Sequence, residues 1–152
     1  MNSSIIELII FVGLQGSGKT TYYDKHFAST HVHVSKDRMP NNRRPERRQQ
    51  LLVREALKAG KSVVLDNTNP SPASRAAVLE LGRELNAKLV CYYFDVPKQV
   101  CVARNKARVG KARVPDVAIY VTASKLKPPL PEENFDEIYV VEADGTATLL
   151  TG

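Results

Sequence analysis

Apolar residues in this chain arrive as short, nearly unbroken runs, and stretches of helical spacing separate them. Residues 5–12 (IIELIIFV) form the first run, rich in β-branched side chains, which predicts a strand buried on both faces. A glycine-rich turn follows, and then a predicted helix over about 19–27. A second short strand is expected at 32–35. Leu51, Leu52, Ala56 and Leu57 share one face of a helix predicted over 46–59, with Gly60 placed to end it. Residues 62–65 (SVVL) read as a third strand that stops at Asp66. Pro72 stands near the start of the next helix, which runs to about residue 85. A fourth strand is predicted at 88–94 (KLVCYYF) and a helix at 98–108, followed by a basic, glycine-containing loop to Arg113. Pro115 opens another helix that ends before Pro128, and 138–142 (IYVVE) is expected to be the last strand. Strands alternating with helices predict an α/β fold, with a parallel sheet of about five strands flanked by helices on both faces. No interior linker divides the chain, so residues 1–152 are expected to form a single domain.

Composition narrows the class without naming a function. With 43% hydrophobic and 25% charged residues, the chain is ordinary for a soluble globular protein. The apolar run at 8–14 contains Gly13 and falls short of the roughly 20 residues that span a bilayer. No basic segment precedes Ile5 as a signal peptide would require, so an intracellular protein is expected, cytoplasmic or nuclear by source, with no membrane partner. Cys91 and Cys101 lack CxxC spacing and are expected to be buried, reduced thiols. His26, His31 and His33 lack the pairing of a zinc helix.

Charge becomes informative once it is located. Residues 36–54 hold seven basic and two acidic side chains, and residues 104–113 hold five basic and none acidic. Each segment therefore carries +5, which leaves −4 for the remainder against a total of +6. Two concentrated cationic segments suit a polyanionic partner, because neutralised phosphates release counterions. Either segment alone could instead be a solvated helix face, the lesser of the two readings.

Gly13-Leu14-Gln15-Gly16-Ser17-Gly18-Lys19-Thr20 matches G-x-x-x-x-G-K-[ST] in full, directly after a buried strand and at a helix start. The glycines let the backbone turn its N–H groups onto phosphates, and the helix adds its positive dipole end. The expected nucleotide contacts are Gly13, Gln15, Gly16, Ser17 and Gly18, continued by Lys19, Thr20 and Thr21. Lys19 would neutralise the β- and γ-phosphates of ATP or another nucleoside triphosphate, and the Thr20 hydroxyl would ligate Mg²⁺ or Mn²⁺. The DxxG and NKxD motifs of GTPases are absent, and the chain is too short for most motors. A small phosphotransferase with a P-loop kinase-type sheet and a basic lid remains.

The acceptor side would be built from two further strand ends. Asp37 follows the second strand, at the edge where open α/β sheets bind ligands, and could take the proton of an attacking hydroxyl. Arg38 stands beside it as a candidate acceptor contact. Asp66, Asn67, Thr68 and Asn69 follow the third strand and could hold hydrated metal or orient an acceptor, although these residues also favour turns. Arg104, Arg108 and Arg113 lie between two helices with Gly110 as a hinge, suited to a lid that brings a guanidinium to the transferred group. Spacing leaves the three arginines equivalent for that role.

GLQGSGKTT, HVHVSKD, GKSVVLDNTNPSPASR, FDVP and RNKARVGKARVP occur in the order seen in the kinase domain of polynucleotide 5′-kinase/3′-phosphatases, which the chain resembles from about residue 5 to 141. The resemblance implies metal-dependent transfer of a γ-phosphate from ATP to the 5′-hydroxyl end of DNA or RNA. It implies Asp37 as general base, Lys19 and Thr20 on triphosphate and metal, and Asp66, Asn67, Thr68 and Asn69 near acceptor or metal water. Arg108 falls at the lid-arginine position, with Arg104 as a further nucleotide contact. Phage-type relatives carry an arginine three residues past the base, where this chain has Pro40; Arg44, Arg47 and Arg48 become the candidates for acceptor phosphate. Relatives often join this domain to phosphatase or ligase modules, so a longer end-healing protein or separate partner enzymes are implied. A kinase of a small hydroxylated molecule is the alternative, and a non-catalytic nucleotide-binding module is a third reading.

Overall fold

The computed structural model describes residues 5–39 and 41–151, so Pro40 lies outside the described residues. β1 (Glu7–Val12) is flanked by β3 (Ser62–Leu65) and β4 (Lys88–Phe94). β2 (His31–Val34) lies beyond β3, and β5 (Glu137–Val141) and β6 (Ala147–Thr151) lie beyond β4. The order is therefore β2-β3-β1-β4-β5-β6, and every neighbouring pair is parallel except β5 with β6. This is the predicted α/β architecture with one strand more than expected.

The apolar runs divide between two cores according to the two-residue period of a strand. Leu8, Ile10 and Val12 face one side with Val63 and Leu65, covered by α2 (Pro45–Lys58) and α3 (Pro72–Glu84). Ile9 and Phe11 face the other with Val64 and Val90, beneath α1 (Lys19–His26), α4 (Lys98–Lys106) and α5 (Asp116–Lys125). Burial on both faces is why 8–12 could not show alternation in sequence. Cys91 and Cys101 are buried free thiols.

Local chemistry sets the element ends. Ser71 accepts from the Ser74 N–H at 3.1 Å, and the Ser74 hydroxyl accepts from the Ser71 N–H, a reciprocal cap with Pro72 at the first helical position. α4 ends at Lys106, two residues before the expected end, because the Ala107 and Arg108 N–H groups close tighter turns on Arg104 and Asn105. β6 corrects the reading of 138–142 as the last strand. The Asp144-Gly145 pair turns the chain, with Gly145 at φ +89°, so that β6 returns antiparallel on β5. Leu149 and Leu150 stay exposed on this edge strand, which left its sequence without a clear alternation. No helix among the described residues is long and apolar enough to cross a membrane.

Candidate functional site

The loops after β1, β2 and β3 emerge at the same carboxyl edge of the sheet, so parallel pairing brings together residues that are far apart in sequence. The loop after β1 is the most constrained of them. Gly16 and Gly18 have φ of +83° and +96°, and a Cβ on Gly16 would lie 2.6 Å from the Cys101 carbonyl oxygen. Gly18 also caps α1 without a side-chain bond, which leaves the first-turn N–H groups open to an anion. The Gly13 N–H donates to the Thr68 carbonyl at 3.1 Å and so fixes this loop to the one after β3.

Lys19 folds back over the loop, its Nζ donating to the carbonyls of Gly13 at 2.9 Å and Leu14 at 2.8 Å. Burial lowers its pKa to about 8; Asp66, Cys101 and Asp37 oppose the shift, and nearby Arg108 adds to it. The Ser17 hydroxyl is buried and has no partner among the described residues. A buried hydroxyl without a partner, in the same loop as a buried lysine, fits a loop that binds phosphate.

Thr20 and Asp66 form the link between the first and third strands. The Thr20 hydroxyl donates to Asp66 Oδ2 at 2.8 Å, and His33 Nε2 lies 2.8 Å from the same oxygen. Arg38 Nη1 sits 3.0 Å from His33 Nδ1. A guanidinium can only donate, so His33 accepts at Nδ1 and carries its proton on Nε2 toward Asp66. Tyr23 stacks on the imidazole at 4.2 Å. A continuous chain Thr20–Asp66–His33–Arg38 thus crosses from the phosphate loop to the loop after β2. Thr20 and Asp66 are hard oxygen donors of the kind Mg²⁺ takes.

Asn67 and Asn69 direct their side chains at the protein's own framework. Asn67 Oδ1 accepts from the Lys36 N–H at 2.9 Å, and its Nδ2 donates to Gln49 Oε1 at 2.8 Å. Asn69, at φ +44°, donates to the Phe11 carbonyl at 2.7 Å. Its own carbonyl accepts from Arg75 Nη1 at 2.7 Å. Arg75 is 0% exposed and makes a two-pronged pair with Glu133, both contacts at 2.7 Å. Burial alone would raise the Glu133 carboxyl, but the Arg75 pair and the Leu130 N–H hold it below its ordinary range.

Asp37 and the arginines form the open side. Asp37 lies in a 3₁₀ turn (Lys36–Arg38), exposed, with its N–H donating to the buried Ser35 hydroxyl at 3.2 Å. Arg44 caps α2, and Arg44, Arg47, Arg48 and Leu51 follow at i, i+3, i+4 and i+7 on an exposed stripe. Together with Asn42 and Arg43 they line a groove, and among the described residues none of its arginines is ion-paired. In the lid segment Arg104 donates to the Ala143 carbonyl at 2.6 Å and approaches Gly18. Arg108 is half-buried and bonds the Ala112 carbonyl, whereas Arg113 is exposed. Asn105 is fully buried and pinches the segment shut: Nδ2 donates to the Val114 carbonyl at 2.7 Å and Oδ1 accepts from its N–H at 3.0 Å. Gln15 reaches away from the loop, donating to the Thr122 hydroxyl on α5 at 3.0 Å. Thr21 is exposed on α1.

Four residues of this arrangement escaped the sequence reading. His33 reads in sequence only as a candidate metal ligand, whereas in the structure it bridges Asp66 and Arg38. Gln49, Arg75 and Asn105 are polar residues on amphipathic helices, where exposure is the ordinary expectation, and one sequence offers no sign that they turn inward.

Comparison with known proteins places this geometry. Residues 8–129 match the family AAA_33, described as an AAA domain. A bifunctional polynucleotide phosphatase/kinase of Schizosaccharomyces pombe is 26% identical over 136 residues, covering 87% of this chain and 32% of that protein. An Acanthamoeba polyphaga mimivirus protein assigned to the same bifunctional class is 30% identical over 142 residues, covering 89% of this chain and 33% of its own length. The chain thus spans about a third of the length of these curated relatives. Among solved structures, the Pnkp1/Rnl/Hen1 complex contains a chain that is 27% identical, with a TM-score of 0.58 over 66% of this chain and 39% of that one. A sugar kinase from Janibacter shares the fold at 17% identity, with a TM-score of 0.68 over 93% of this chain and 87% of that one.

Proposed function

Because this chain belongs to the AAA_33 family of P-loop kinase domains, we propose that it is a polynucleotide 5′-hydroxyl kinase, moving the γ-phosphate of ATP to a DNA or RNA 5′ end. The observation that carries this reading is the exposed arginine stripe Arg44–Arg47–Arg48 at the start of α2, without an ion pair among the described residues and beside the turn that bears Asp37. A small neutral acceptor has no use for such a stripe; a polynucleotide supplies phosphates to it. Similarity to the polynucleotide phosphatase/kinases supports the same reading. Residues 1–152 would be a single kinase domain, with phosphatase or ligase work done by further modules or separate enzymes.

In the reaction the acceptor 5′-oxygen attacks the γ-phosphorus in line with the departing β–γ bridging oxygen. Asp37 accepts the hydroxyl proton as the new P–O bond forms and the bond to ADP breaks. Lys19 moves from the Gly13 and Leu14 carbonyls to the β- and γ-phosphates, and the orphaned Ser17 hydroxyl finds a partner in the same site. Arg108 closes with the lid onto the charge of the transferred group, and Arg104 contacts the nucleotide above Gly18. Thr20, with Asp66 behind it, would hold Mg²⁺, which would offset charge on the triphosphate oxygens. Arg38 and the α2 arginines would take the acceptor phosphates.

The reading is tested by offering labelled ATP and Mg²⁺ to the protein with 5′-hydroxyl DNA and RNA oligonucleotides and, separately, a panel of sugars, sugar acids and nucleosides. Label on oligonucleotide 5′ ends, with transfer weakening as salt rises, is the expected result. Label confined to a small molecule would overturn the reading.

A further inference from the structure

The helix that carries the arginine stripe also carries Gln49, on its opposite face and 5% exposed. A buried amide in an apolar helix–sheet interface is unfavourable unless it is hydrogen-bonded. Its oxygen accepts from Asn67 Nδ2, and Asn67 Oδ1 in turn accepts from the Lys36 N–H, the backbone group immediately before Asp37. The turn holding Asp37 is short, and its own fastenings are few. The Asp37 N–H meets the Ser35 hydroxyl, the Arg38 N–H meets the Ser35 carbonyl, the Met39 N–H meets the Lys36 carbonyl, and the Arg38 side chain meets His33 on β2. Among the described residues the other side-chain polar tie from this turn to α2 is the Lys36–Glu46 ion pair, which is solvent-exposed and therefore weak.

We infer that Gln49 is a positioning residue for the proposed phosphotransfer: through Asn67 it sets the backbone at Lys36, and hence the place of Asp37, relative to the helix that grips the acceptor. The inference rests on the proposed function for its catalytic consequence and on the two hydrogen bonds for its geometry. Asn67 can serve both partners only with its oxygen toward Lys36 and its amide nitrogen toward α2. Residue 49 must therefore present an acceptor, and Gln49 does so from inside the core. A strand bound along Arg44, Arg47 and Arg48 is in this way held by the same rigid helix that fixes the base. An error of about 1 Å between such groups costs up to roughly 100-fold in rate.

The test pairs Gln49→Met, which keeps length and removes the acceptor, with Gln49→Glu, which restores an acceptor oxygen. In Gln49→Met, kcat for oligonucleotide phosphorylation should fall by roughly 10- to 100-fold while the KM for ATP stays at its wild-type value. Gln49→Glu should recover most of kcat. In an Asn67→Ala background, Gln49→Met should add no further loss, because the tie is already cut. Hydrogen exchange at the Lys36 amide reads the tie without any acceptor: protection should drop in Gln49→Met and return in Gln49→Glu. Equal kcat in wild type and Gln49→Met, or equal losses in Met and Glu variants with Lys36 still protected, would overturn the inference. A wild type inactive on every 5′-hydroxyl end would overturn the functional reading instead, and Lys36 exchange that still follows residue 49 would mark that case.

Discussion

The two halves of the crevice are made differently. The core of the proposed nucleotide half comes from one contiguous stretch, Gly13 to Thr20, with Ser17 and Lys19 buried and backbone angles that suit glycine. The proposed acceptor half is assembled from the ends of β2 and β3 and the start of α2, and Asp37, Arg38, Arg44, Arg47 and Arg48 are all exposed. A phosphate chain of fixed geometry can be met by a rigid, prefolded cradle. A polymer end that must enter and leave suits an open, cationic surface whose few rigid points are pinned from beneath, by His33, Asn67 and Gln49.

The largest expected effect erases the distinction between the halves. Arg75 holds the Asn69 carbonyl while paired with Glu133, so Arg75→Met should leave a buried unpaired carboxylate and cost about 3–5 kcal/mol of stability. Thermal or denaturant unfolding would measure it, and a loss below about 1 kcal/mol would show the pair to be as weak as a surface one.

Next come the effects that separate the halves. Arg108→Ala should lower kcat by roughly 10²–10³ with little change in acceptor KM, as expected for a group that acts on the transferring phosphate. A KM effect without a kcat effect would move Arg108 to the acceptor side.

Lys19 gives the nucleotide half a pH dependence. Its pKa is lowered by burial to about 8 in the free protein, and a bound triphosphate favours the ammonium form. Below that pH the ammonium predominates and affinity should be flat. Above it a proton must be taken up on binding, so the Kd for ATP should rise by up to about tenfold per pH unit. Titration calorimetry between pH 7 and 9.5 would show this; a flat Kd would mean either that Lys19 keeps its proton across this range in the free protein or that it does not reach the phosphates.

The smallest effect belongs to single arginines of the stripe. Arg48→Ala should raise acceptor KM a few-fold and reduce the slope of log affinity against log salt by about 0.7 for a single strand. An unchanged slope would remove Arg48 from the acceptor path.

The same contrast explains what the sequence made legible. The phosphate loop was readable because its chemistry requires particular residues at consecutive positions, and the strands because their apolar runs are continuous. β6 was missed since an edge strand with exposed Leu149 and Leu150 lacks such a run. At the end of β3, Asp66, Asn67, Thr68 and Asn69 could be recognised as polar residues at a ligand-binding edge, yet sequence could not show which way they turn. Asp66 meets Thr20, and Asn69 meets the Phe11 carbonyl, only because parallel pairing brings distant segments together. Arg75, Gln49 and Asn105 are decisions of the same kind, each a polar side chain drawn inward by a partner 58, 18 and 9 residues away respectively.

The proposed meeting of a 5′-hydroxyl with the γ-phosphate at Asp37 is decided by single-turnover transfer from labelled ATP to a 5′-hydroxyl oligonucleotide. Wild type should place label on the 5′ end, and Asp37→Asn, which preserves shape and removes the base, should slow the step by roughly 10²–10⁴ with nucleotide binding intact. Transfer at the wild-type rate by Asp37→Asn, or none by wild type that binds ATP, would contradict the account.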